Sequence, residues 1–107
     1  MEKFMISATP NKDFAVLKVH SSFHTEDKNE FARFCSKLLD TKYSNLAMDI
    51  TDVTYLSSVL CAPIVSLHFE AQAKNKTLTV ICNKKLAGRF MEAGLGGILK
   101  IKVLKKK

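Results

Sequence analysis

Two spacings of apolar residues run through this chain, and the switches between them mark its elements. From Phe4 to Ala8 apolar and polar positions alternate, which predicts a first strand. Pro10 to Asp13 is a cluster of turn residues. Phe14 to Val19 is rich in apolar and β-branched residues and predicts a second strand. A link this short makes the pair antiparallel. The spacing then changes. Thr25 is placed to cap a helix, with Glu26 and Asp27 complementing the dipole of its first turn. Phe31, Phe34, Cys35, Leu38 and Leu39 follow on one helical face, the stripe of a helix packed on a core. Residues Asp40 to Ser44 end it.

Leu46 to Ile50 predicts a short buried strand. Leu60 to Ala73 predicts the second helix, with Leu60, Ile64, Leu67, His68 and Ala71 on one side and Val65 and Phe69 adding to it. Pro63 lacks an N–H and is best placed near a first turn, so the helix is expected to start nearer Leu60 than Ser57. Thr77 to Cys82 is a β-branched strand. Lys85 to Ala93 is a third helix, closed by Gly94. Ile98 to Leu104 is a last, lysine-bearing strand. The order is β-β-α-β-α-β-α-β. Strands separated by helices imply parallel crossovers, so the fold class is a single α/β domain. Its sheet is mixed but mostly parallel, with helices packed on it. The domain is taken as residues 1–104, followed by a basic tail, residues 105–107.

The stretch from Asp49 to Leu67 carries the most information. A strand passes through a polar turn into Val53, Tyr55 and Leu56, then Ser57 and Ser58, then a helix. Small hydroxyls at a helix start commonly act as caps. A phosphate there would also be tolerated, because helix N-termini leave amides unpaired and favour negative charge.

Asp49, Ile50, Thr51, Val53, Thr54, Tyr55 and Leu56 resemble the first half of the signature of the STAS domain, the fold of anti-sigma factor antagonists. The second half departs from it. Ser57 stands where the family has aspartate, Leu60 where it has glycine, and Val59 where it has a further hydroxyl. Ser58 falls on the position that the phosphorylated serine or threonine holds in family members. The resemblance runs from about Phe4 to about Val103, including the short helix that ends in Glu92-Ala93-Gly94-Leu95. It implies the STAS fold and a partner surface made of Ser22, His24, Thr25, Ser57, Ser58, Val59, Leu60 and Cys61. His24 replaces an aspartate usual in the antagonists. Leu60 and Val59 are expected to add apolar bulk to that surface.

Composition narrows the alternatives. The chain has 107 residues, 47% of them hydrophobic and 25% charged, as in one ordinary globular domain. No apolar run is long enough to cross a bilayer, and the first ten residues lack a signal peptide's apolar stretch, so a cytoplasmic location is expected. Cys35, Cys61 and Cys82 form no metal-ligand spacing, and no cofactor or metal is expected. They are expected to be reduced packing residues, although a thiolate at Cys61 would be favoured if it sat in a helix's first turn. Asp49 and Asp52 are not expected to form an acid–base pair. The net charge is +7, and all of the excess lies in residues 84–107, which hold eight basic residues against Glu92 alone. Lys84, Lys85, Arg89, Lys100 and Lys102 form the candidate basic patch.

The function expected is therefore a non-enzymatic protein-interaction module. Its partner would be an anti-sigma factor or serine kinase, and phosphorylation of Ser58 would switch the binding. One alternative is a STAS-type accessory subunit of a lipid-transport ABC ATPase. Another is an electrostatic binder of nucleic acid or a membrane surface through residues 84–107.

Overall fold

The computed structural model describes residues 3–20, 24–55 and 57–104. Strands β1 (Phe4–Thr9) and β2 (Phe14–Val19) form an antiparallel hairpin around a single 3₁₀ turn at Pro10–Lys12. Asp13 closes that turn at φ 50°, a left-handed conformation that aspartate tolerates better than most side chains. A second 3₁₀ turn (Thr25–Asp27) leads into α1 (Lys28–Leu39). Then follow β3 (Asn45–Asp49), α2 (Ser58–Ala73), β4 (Thr77–Cys82), α3 (Lys84–Glu92) and β5 (Lys100–Val103). The strands lie in the order β1-β2-β3-β4-β5, with β2 to β5 parallel. The element order and the mixed sheet are those the sequence predicts.

Each parallel step passes through one helix, and all three steps go the same way along the sheet. Right-handed crossovers that advance in one direction put their helices on one face. Burial follows suit. Leu17 and Val19 of β2, Leu46 and Met48 of β3, and Leu78, Val80 and Cys82 of β4 are buried in the core. They meet Phe31 and Leu38 of α1, Leu60, Ile64 and Leu67 of α2, and Leu86 and Phe90 of α3. The Phe4 ring lies 5.7 Å from Phe31 and 5.5 Å from Phe34, joining the edge strand to α1. The alternate residues Phe14, Val16, Thr79 and Ile81 are half-buried and outside the core. They lie on the sheet face away from the helices.

Helix ends are tied to distant parts of the chain. The Lys76 ammonium donates to the Leu39 carbonyl at 2.8 Å and to the Thr41 carbonyl. A cation is thus placed on the negative end of α1's dipole from 37 residues away. Two helices end in the same closing pattern. After α2, the Lys76 N–H donates to the Ala71 carbonyl, with Asn75 at φ 60°. After α3, the Leu95 N–H donates to the Phe90 carbonyl and the Gly94 N–H to the Met91 carbonyl, with Gly94 at φ 79°.

Several sequence expectations need correction. Thr25 lies in the 3₁₀ turn and does not cap α1; Asp27 holds the cap position. The Asp27 carboxylate bonds to the backbone N–H of His24 and the Lys3 ammonium, both at 2.8 Å, rather than to the helix amides. β5 is shorter than expected because residues 95–99 turn to bury Leu99. Phe69 does not join the buried side of α2, being 52% exposed.

Replacing Gly94 by alanine forces a side chain into the left-handed cap. Gly94→Ala is expected to cost about 1 kcal/mol, read by urea unfolding. Gly97→Ala, where an added Cβ meets nothing within 4 Å and the backbone is unstrained, should change stability far less.

Candidate partner-binding site

The corner where β3 hands over to α2 is built on Asp49. Its carboxylate accepts the Thr51 backbone N–H at 3.0 Å and the Thr51 hydroxyl at 2.7 Å. Lys18 of β2 reaches the same spot, 3.4 Å from Asp49, 3.4 Å from Asp52 and 3.1 Å from the Thr51 hydroxyl. Burial works against ionisation of Asp49, but the Thr51 bonds and the Lys18 ammonium outweigh it and hold its pKa below the ordinary value. A carboxylate held low and shared with a cation is a poor general base. Asp49 pins the turn.

A second pin comes from Asn83, which precedes α3. Its amide donates to the Val53 carbonyl at 3.2 Å and the Thr51 carbonyl at 3.4 Å. Its oxygen accepts the Leu86 N–H at 2.9 Å and so caps α3. One side chain thus joins the β3–α2 loop to the next helix. Val53 is buried beneath the loop, and Tyr55 projects from it at 72% exposure.

Ser57 is extended and caps α2, its hydroxyl accepting the Leu60 N–H at 3.3 Å. The helix therefore starts at Ser58, two residues earlier than Pro63 suggested. Pro63 lies inside the helix, so the Val59 carbonyl has no amide donor four residues on. The capping serine outweighs the proline in setting the start.

In the first turn, Ser58 is exposed, Val59 is half-buried against the core and Cys61 is half-buried. Leu60 is 0% exposed. It fills the core and adds no bulk to a docking surface, contrary to the sequence reading. Cys61 sits in this first turn, yet burial raises its thiol pKa and so works against the thiolate. Burial likewise pushes Cys35 up to about 12 and Cys82 up to about 11, with Glu70 adding to the shift at Cys35.

Beside Ser58 a groove of about 630 Å³ opens between α1 and α2. Val59, Ala62, Pro63 and Leu67 form its α2 wall, and Ala32, Cys35 and Leu39 its α1 wall. Lys28 and Glu70 supply its charges. A shallower surface continues along the outside of α2 through Cys61, Val65 and Phe69. Ser57, Ser58, Val59 and Cys61 thus gather at one corner. His24 is exposed ahead of α1 and does not line the groove, and Ser22 lies outside the described residues. Sequence reasoning missed Lys28 and Asn83. An Asn just before a helical stretch is itself a cap signal, whereas nothing local marks Lys28.

The candidate basic patch is divided. Lys84, Lys85 and Arg89 lie on α3 in the helix layer. Lys100 and Lys102 alternate with Ile101, which packs on the core, so they face the opposite side of the sheet. Arg89 is paired with Glu92 at 3.2 Å. Among the described residues no group of three His, Cys, Asp or Glu could hold a metal ion, and no helix is long and apolar enough to cross a membrane.

The stabilisation from Asp49 depends on pH in a definite direction. It is fully present above the ordinary aspartate value of 3.8 and is lost as pH falls through the lower folded-state value. Asp49→Asn is therefore expected to cost about 1–3 kcal/mol at pH 7. The gap between variant and parent should shrink as pH falls below 3.8, measured by urea unfolding across pH. Asn83→Ala should cost a similar amount, while Asn83→Asp keeps the α3 cap and loses only the two donations.

No protein-family model matches the sequence, and no curated protein does. Solved structures match closely in shape. An anti-sigma factor antagonist from Mycobacterium paratuberculosis superposes at TM-score 0.79 and 14% identity, over 92% of this chain and 82% of that one. TM1081 from Thermotoga maritima does so at 0.80 and 18%, over 92% and 84%. The unphosphorylated anti-sigma factor antagonist SpoIIAA gives 0.73 and 9%, over 94% and 88%. With its hairpin, its three same-sided crossovers and its serine-capped second helix, this chain has the STAS fold of the anti-sigma factor antagonists.

Proposed function

We propose that this chain is a non-enzymatic protein-interaction module of the cytoplasm whose partner docks where α2 begins, in the manner of an anti-sigma factor antagonist. One observation carries the reading. α2 carries apolar side chains beyond its buried side: Leu60, Ile64, Leu67 and Ala71 face the core, while Val59, Ala62, Val65 and Phe69 line the groove or the outer surface among Ser58, Ser66 and Glu70. Here its outer side and the groove against α1 are open, with Ser58 on the lip.

The partner class follows from the fold's likeness to the antagonists, one of which, SpoIIAA, is known in unphosphorylated and phosphorylated forms. An anti-sigma factor or its serine kinase would lay an apolar surface on the groove. A phosphate on Ser58 adds roughly −1.5 to −2 charge. Within the chain it would sit at the favourable end of α2's dipole. Against an apolar partner it would have to be buried unpaired, which ends binding.

A second reading, constitutive binding as an accessory subunit of a transport ATPase, draws on Val65 and Phe69. They extend the apolar surface two to three turns beyond Ser58, where one phosphate has little reach.

The test uses the chain as bait in its source cells, with the captured protein identified and then purified. A captured serine kinase should place one phosphate on Ser58 and none on Ser58→Ala, and Ser58→Asp should weaken its binding at least tenfold. Capture of an ABC-type ATPase indifferent to Ser58→Asp selects the second reading. A partner whose binding survives both Ser58→Asp and Phe69→Asp unchanged would overturn the docking site.

A further inference from the structure

The sheet has a face that no helix covers. Mostly parallel sheets are normally enclosed on both sides. Here all three crossovers lie on one side, and the described residues place nothing on the other. The register lays Val16, Ala47, Thr79 and Lys100 in one row across that face, and Lys18, Asp49, Ile81 and Lys102 in the next. Two adjoining furrows of about 340 and 360 Å³ run over it, sharing Phe14, Thr79 and Lys100. Phe14 and Ile81 supply most of the apolar surface of their floor, with Thr79 between them. Lys12, Lys100 and Lys102 line them.

The charges here differ from those at the α2 corner. Lys18 is committed to Asp49 and Asp52. Lys12, Lys100 and Lys102 make no ion pair among the described residues, and no acidic residue lines either furrow. An apolar floor with a cationic rim matches a partner of the opposite charge whose apolar residues can reach the floor. We propose that this bare face binds an acidic protein segment in which apolar side chains alternate with Asp or Glu.

Other occupants fit less well. Single-stranded nucleic acid needs a row of aromatic platforms, and Phe14 is the one aromatic in the furrows. A bilayer needs protruding apolar side chains, whereas these form a half-buried floor beneath longer lysines. A second copy would set lysine against lysine. The inference stands apart from the α2 site, since it uses none of its residues.

The experiment titrates the ¹⁵N-labelled chain with the peptide Glu-Val-Glu-Val-Glu-Val-Glu and follows backbone amide shifts. The expected result is saturable shifts confined to β2 to β5 and the Pro10–Lys12 turn. Binding should weaken at least tenfold in the Lys100→Glu/Lys102→Glu variant and fall steeply with salt, while Phe69→Asp leaves it unchanged. The two lysines are exposed on an edge strand, and the variant's amide spectrum verifies that it stays folded. No shift with the acidic peptide, equal binding by its Lys-Val counterpart, or equal affinity in the double variant overturns the proposal. So does occupation of this face by an oligo-uridine RNA, by phosphatidylserine vesicles or by self-association in place of the peptide.

Discussion

The shared direction of three crossovers governs this molecule. Because β2, β3, β4 and β5 are laid down in sequence order, every right-handed crossover returns on the same side. One sheet face therefore takes all the apolar stripes, and the other takes none. The same constraint fixes α2 between its neighbours in the chain, over the middle of the sheet. Its inner side has the core to fill. Its outer side has only α1 beside it, and the groove between them is what that arrangement leaves.

Much of this was legible from local pattern. The stripe of Phe31, Cys35 and Leu38 reports burial because a helix brings residues three, four and seven apart onto one side. The strand from Thr77 to Cys82 was legible because it is dense in β-branched residues, which fit a pleated, half-buried surface. Gly94 marked the end of α3 because it occupies a conformation that suits glycine. What stayed hidden depends on residues far apart in the chain. Nothing near Lys18 announces that two aspartates 31 and 34 residues away will share its charge. Nothing near Lys76 announces α1's carbonyls. The start of α2 was misjudged because two local rules conflicted, a proline that favours the first turn and a serine that favours the cap. Their relative strength is settled by the whole turn, including the burial of Leu60.

The described part of the β3–α2 loop has no regular structure, yet it is held at its start and its middle. Lys18 and Asp49 fix its start to the sheet, and Asn83 clamps its middle to α3. Order imposed in advance would lower the freedom lost if a partner docked beside the loop. It also explains why a polar pair and a single amide occupy positions that packing alone could have filled. An apolar replacement would leave the Thr51 and Val53 carbonyls without donors.

The departures from the antagonist signature take on a different meaning once their directions are known. Ser57 stands in for an aspartate, and it still performs the capping that an aspartate would. What is lost is a negative charge beside Ser58. Leu60 stands in for a glycine, and its side chain points inward to the core. That change alters packing beneath the corner and leaves the outer surface as it was. Ser58, the position that faces outward, keeps its hydroxyl. Leu60 therefore reshapes the support of the corner, whereas Val59, which stands for a hydroxyl, lines the groove itself beside a retained Ser58. A change in partner preference would have to come from the residues that line that groove, Val59 among the motif's own departures and Ala62 and Lys28 outside it, rather than from Leu60.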